Sequence, residues 1–150
     1  MKFIYNNFLW VIYFNFSAVI IATHTRETIF SSSGPYAYGK PLIWCALITF
    51  LCYSLYCHKK ENFFKTISKL APYFWFRQIG LDLYLGLCAP LMLIFLDQGA
   101  LVMLIWLVPI VLMVNLAVLL YLALNYLTVE WHIGLDKEML TIGELLMQVI

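Results

Sequence analysis

Two apolar runs separated by only three residues leave this chain little freedom of fold. Residues 78–96 and 100–128 are joined by Asp97-Gln98-Gly99. Crossing a hydrocarbon core of about 30 Å takes about 20 helical residues at a rise of about 1.5 Å each. Each run therefore predicts a membrane-spanning helix, and the short link predicts an antiparallel hairpin. Within that hairpin Asp82 lies sixteen residues before Gln98 and Asn115 seventeen after it. Both fall about 24 to 26 Å from the bend, which makes Asp82 and Asn115 an expected polar pair inside the bilayer.

Composition supports the membrane class. Hydrophobic residues make up 64% of the chain and charged residues 11%, against about 25% charged in ordinary soluble domains. A net charge of +1 gives no electrostatic case for a nucleic-acid partner. The 150 residues leave room for one compact membrane domain. The expected class is an all-α membrane protein with four transmembrane helices at about 3–23, 41–57, 78–96 and 100–128. An amphipathic interfacial helix is expected between the second and third of these, and a short C-terminal amphipathic helix over about 136–150.

The first run follows Lys2 but is long and polar at Asn6, Asn7 and Asn15. It lacks a small-x-small cleavage pattern, so it reads as an uncleaved anchor rather than a signal peptide. Residues 24–40, with Ser31-Ser32-Ser33-Gly34-Pro35, read as a loop. Pro41 suits the first turn of the second span. Along that span Cys45, Thr49, Cys52 and Tyr56 recur at helical spacing, a stripe of small and weakly polar groups suited to close helix packing. Gly86 and Ala89 give the third span a similar face, beside Asp82.

Between the second and third spans, Phe63, Phe64, Ile67, Leu70, Ala71 and Phe74 share one helical face, and Pro72 ends the pattern. This is the pattern of a helix lying in the membrane interface. Lys59, Lys60, Lys65, Lys69 and Arg77 crowd this connection, whereas Arg26 and Lys40 are alone in the first loop and the hairpin link carries no cation. Basic loops stay in the cytoplasm. With four spans, Lys2 and Lys137 join the basic side, so both termini are expected there, most simply at a bacterial inner membrane. Trp75 and Tyr73 mark the inner interface with Trp131, and Tyr36 and Tyr38 the outer.

An ionised Asp82 in hydrocarbon costs about 2.5 to 3.5 kcal/mol on insertion scales, so it is expected to pair, to face water or to be protonated. Pro90 and Pro109 predict kinks in the last two spans. Trp106 is expected to face lipid or a partner subunit, and Asp97 to be solvated at the outer turn without special role. Beyond Gly134, the positions Leu135, Met139, Ile142, Leu146 and Val149 form an apolar seam opposite Asp136, Glu138 and Glu144. An acidic amphipathic segment suits docking to protein rather than to anionic lipid.

No chemistry-bearing motif emerges. Cys45, Cys52, Cys57 and Cys88 form no C-x-x-C pair, and His58 with His132 makes only a sparse metal or haem set. Neither metal nor cofactor is expected, and no catalytic group is assigned. The function expected is that of a small accessory or scaffold subunit of a membrane complex, in contact with lipid and with other membrane subunits. The alternative is a small transporter or channel protomer that uses Asp82 for proton or cation passage.

Overall fold

The computed structural model of the protein describes residues 7–31 and 37–128. Seven helices form among them: α1 Phe8–Thr23, α2 Gly39–Lys60, α3 Phe63–Leu70, α4 Phe74–Gly86, α5 Cys88–Gln98, α6 Ala100–Met113 and α7 Asn115–Leu124. There is no strand among the described residues. Two helical stretches are long and apolar enough to cross a membrane: α2, and the 25-residue rod Phe74–Gln98 made by α4 and α5. The C-terminal helix expected over 136–150, with Leu135, Met139, Ile142, Leu146 and Val149, lies outside the described residues.

The joints follow local chemistry. Asn62 caps α3 by accepting from the Lys65 amide at 3.0 Å, the usual role of a short amide side chain at a helix start. The break between α3 and α4 falls at Pro72, with Tyr73 extended. Leu87 sits between α4 and α5 in a tightened turn, its amide donating to Tyr84 at 3.2 Å. Pro90 lies three residues on, and its ring disfavours the carbonyl of Gly86 four residues back. Gly99 is the only residue between α5 and α6, with φ +84° and ψ 176°. This conformation is essentially open to glycine alone.

The last apolar run departs from its expected course. It does not continue as one helix from 100 to 128 but is interrupted at Val114, where φ is +47°. A straight helix would carry Tyr121 about 30 Å or more from Asp97, yet the Tyr121 hydroxyl donates to Asp97 Oδ2 at 2.6 Å. The Trp106 and Tyr121 rings also meet edge to face, 5.1 Å between centroids. The chain therefore doubles back, and α6 and α7 form a helical hairpin whose two ends both lie beside Asp97. The single helix expected over 100–128 is thus replaced by two shorter helices, and the expected count of four crossings is not confirmed. Hydropathy measures length and apolarity, and both are the same for one long helix and for two short ones folded together.

This fold-back supplies the core. Leu116, Ala117, Leu120, Tyr121, Ala123 and Leu124, six of the ten residues of α7, are buried. Tyr13 from α1, Leu47 from α2, Ile94 from α5 and Trp106 and Ile110 from α6 close around them. Trp106, 3% exposed, is wedged between Phe16 and Tyr121 rather than facing lipid. The interruption at Val114 frees backbone groups that must find partners away from water. Tyr84 donates at 3.3 Å to the Val111 carbonyl, which lies one turn before the break, and Tyr13 donates at 3.3 Å to the Leu116 carbonyl in the first turn of α7. Helices α1 and α4 thus each send a tyrosine to the bend.

A Cβ built on Gly99 meets nothing within 4 Å, so backbone conformation alone makes glycine necessary there. Gly99→Ala is expected to lower stability by about 1 to 3 kcal/mol, read as a shifted unfolding midpoint in detergent. Gly86→Ala, also with an open Cβ position but in a helix, is expected to leave the midpoint unchanged or raise it slightly.

Candidate functional site

Charged groups gather where the ends of the hairpin meet the first loop. Asp97, at the C-terminal end of α5, holds a side chain only 4% exposed. Its Oδ2 accepts from Tyr121 at 2.6 Å, from Gln98 Nε2 at 3.0 Å and from Thr128 Oγ1 at 3.5 Å. Arg26, on the loop after α1, reaches both carboxylate oxygens at 3.3 and 3.2 Å. Gln98 Nε2 also approaches Asn125 Oδ1 at 3.0 Å and the Tyr121 oxygen at 3.2 Å, which closes the network onto the end of α7.

A second pair lies beside it. Lys40 Nζ meets Glu27 Oε2 at 2.8 Å, with side chains 0% and 5% exposed. Glu27 Oε1 accepts from the Leu127 and Thr128 amides at 3.0 and 3.3 Å. One carboxylate thus ties the first loop to the N-terminal turn of α2 and to the chain just after α7. Gly39 permits this approach, since a methyl there would overlap the Tyr126 phenol. His24 Nε2 accepts from the Glu27 amide at 3.3 Å. Burial is the largest influence on its pKa and lowers it; Glu27 pulls it up, Lys40 and Arg26 push it down, and the balance is downward. Its neutral form is the one that can accept that amide.

At the opposite end His58 Nε2 lies 2.7 Å from Asn7 Oδ1, which ties the base of α1 to that of α2. Lys59, Lys60, Lys65, Lys69 and Arg77 are all exposed there. The two ends therefore differ in charge state: Arg26 and Lys40 are each neutralised by a carboxylate, whereas the five basic-loop cations share one acid, Glu61.

Asp82 and Asn115 line one open crevice with Gly86, Ala89, Pro90 and Val118. Both are exposed, and among the described residues no hydrogen bond joins them. Arg77 does not turn toward Asp82; it donates to the Ala71 carbonyl at 2.8 Å. The stripe of Cys45, Thr49 and Cys52 is exposed on the outer face of α2, where Leu42, Phe50 and Tyr53 share a shallow groove with it. The side of α2 turned inward carries Lys40 and Leu47. Close-packing faces read from spacing are thus exposed among the described residues.

Among the described residues no three His, Cys, Asp or Glu side chains gather to hold a metal ion. His132 lies outside them. The Asp97 and Glu27 clusters were not legible as sites in the sequence, because their members are 71 and 13 residues apart along the chain. One signal was present. Two acids and two cations sit at the predicted outer ends of apolar runs, where unpaired charge near hydrocarbon is disfavoured. No protein-family model, curated protein or solved structure matches the chain.

Removing one member of the buried pair isolates its partner's charge. Lys40→Met is expected to destabilise by about 3 to 5 kcal/mol, and Lys40→Met with Glu27→Gln to restore a large part of that loss. Chemical unfolding in detergent of both variants and the parent gives the comparison. Tyr121→Phe removes the closest donor to Asp97 and is expected to cost about 1 to 3 kcal/mol in the same measurement.

Proposed function

We propose that the protein is an integral membrane subunit that docks other membrane proteins in a larger complex. The observation that carries this reading is Asp82: a carboxylate in a mainly apolar crevice, on a small-residue face, with no hydrogen-bond or ion-pair partner among the described residues. In hydrocarbon such a group needs a partner or water. A helix from a second subunit, packed along Gly86 and Ala89, would supply a donor to Asp82 and Asn115 together. The exposed face of Cys45, Thr49 and Cys52 offers a second close-packing surface. The acidic amphipathic segment read at 136–150 adds a soluble docking element.

In this reading α1, α2 and the α4–α5 rod cross the bilayer, and α6 and α7 enter and return as a re-entrant hairpin. Irregular backbone at membrane depth is tolerated when protein covers it, and Val114 packs against the buried core between the carbonyls of Val111 and Leu116 that Tyr84 and Tyr13 reach. The basic loop faces the cytoplasm of a bacterial inner membrane. The paired state of Arg26 and Lys40 strengthens that bias, because the opposite end then carries little free positive charge.

The transporter alternative draws on the same crevice, since Asp82 and Asn115 share an open, part-polar surface. One substitution separates the two. Under the docking reading Asp82→Asn weakens association with copurifying membrane proteins by about 3- to 30-fold, equivalent to about 0.6 to 2 kcal/mol, and leaves ion flux in reconstituted vesicles at background. Flux abolished by the substitution, with assembly intact, would establish the transporter instead.

The topology has its own test. On a cysteine-free background, Thr128→Cys is expected to react with an impermeant maleimide from the same side as Ser31→Cys and from the side opposite Ser68→Cys. Labelling of Thr128→Cys together with Ser68→Cys would restore a fourth crossing.

A further inference from the structure

The basic end of the molecule carries more than a helix lying on a surface. In α3, Phe63, Phe64, Ile67 and Leu70 are all exposed, and no residue of the helix is buried. Its apolar face is therefore unpartnered within the described chain. Immediately after it, Phe74 and Trp75 are 83% and 79% exposed, and a groove runs along Phe74, Trp75, Arg77, Gln78 and Leu81. Arg77 is fixed at the mouth of this groove. Its Nε donates to the Ala71 carbonyl at 2.8 Å and its guanidinium lies 5.8 Å from the centre of the Phe74 ring. Both terminal nitrogens remain without a partner among the described residues.

A guanidinium held by its inner nitrogen, with the outer pair free, presents the fork that receives two oxygens of a phosphate. Lys59, Lys60, Lys65 and Lys69 precede it in sequence, and Glu61 is the one carboxylate among residues 58–80. Glu61 is itself engaged, accepting from Thr66 Oγ1 at 3.1 Å. We propose that this end of the molecule is a binding site for an anionic phospholipid, with its phosphate on the Arg77 fork and an acyl chain along Phe74, Trp75 and Leu81. Charge complementarity selects the occupant: an apolar groove capped by a fixed cation matches a molecule with a hydrocarbon tail and a phosphate head. Helix α3 lies in the headgroup layer beside it, with its aromatic face toward the acyl chains and its lysines adding non-specific attraction.

The site rests on the membrane placement proposed above, though not on the docking role. The test uses the full chain in bilayers of phosphatidylcholine mixed with phosphatidylglycerol, with the lipids retained after transfer to mild detergent weighed by native mass spectrometry. Phosphatidylglycerol is expected to be retained in preference to phosphatidylcholine. Arg77→Gln is expected to lower its retention about fivefold, the effect of one charge near an anionic surface, and to leave phosphatidylcholine unchanged. Arg77→Lys is expected to lower it as well, because an ammonium keeps the charge but not the fork. Lys65→Gln with Lys69→Gln, both exposed on α3, is expected to reduce it in a way that added salt abolishes in the parent. Equal retention of the two lipids by the parent protein, or undiminished phosphatidylglycerol in both Arg77 variants, would overturn the site. Displacement of the lipid by inorganic phosphate would overturn its assignment to lipid. Release of the protein from membranes by alkaline carbonate would instead overturn the membrane placement, a different failure that the same preparation detects.

Discussion

Two carboxylates withdrawn from water hold this fold together at one end. Asp97 and Glu27 are almost fully covered, and a buried ion is tolerated only where opposite charge and hydrogen-bond donors surround it. Satisfying Asp97 requires Tyr121, Gln98 and Arg26 to converge. Satisfying Glu27 requires Lys40 and the backbone after α7. The two acids draw on the loop after α1, the start of α2, the end of α5 and the end of α7. These are the segments whose spacing decides whether the last apolar run crosses or returns.

That choice governs the remaining packing. Once α7 is drawn back to Asp97, its apolar surface becomes the centre of the molecule, and α1, α2, α5 and α6 contribute one or two buried side chains each around it. The reversal puts strain at Val114, a β-branched residue at positive φ, where such residues are rare. Hydroxyls from Tyr13 and Tyr84 reach carbonyls on either side of it. Stability gained at the charged end and in the aromatic stack of Phe16, Trp106 and Tyr121 offsets that strain.

The inner side of the bundle is closed by its own chain, and the outer side is not. Asp82 with Asn115, the Cys45 and Thr49 stripe, and the aromatic face of α3 are all turned outward. A mainly apolar exterior needs lipid or protein to cover it, and the chemistry differs from patch to patch. Small residues beside an exposed acid are the chemistry of a helix-packing face. A fixed guanidinium among bulky rings suits a lipid phosphate and its acyl chain.

Helix content, membrane-length apolar stretches, the α3 amphipathic pattern and the crowding of cations between α2 and α4 were all legible in the sequence, because each depends on residues within a few turns of one another. Asp82 and Asn115, counted in the sequence to similar distances from the Gly99 bend, line one crevice, and among the described residues no hydrogen bond joins them. Tertiary structure alone decided that residues 100–128 fold back, that Trp106 is interior, and that Asp97 is the hub of a network rather than a solvated turn residue. Neither Val114 nor its neighbours carry a glycine or proline signal at the bend. The reversal is imposed instead by partners far away in the chain, Arg26 at 71 residues from Asp97 and Glu27 at 100 from Leu127. Local patterns fix what a segment can become, and long-range pairing of buried charge fixes which of those possibilities it takes.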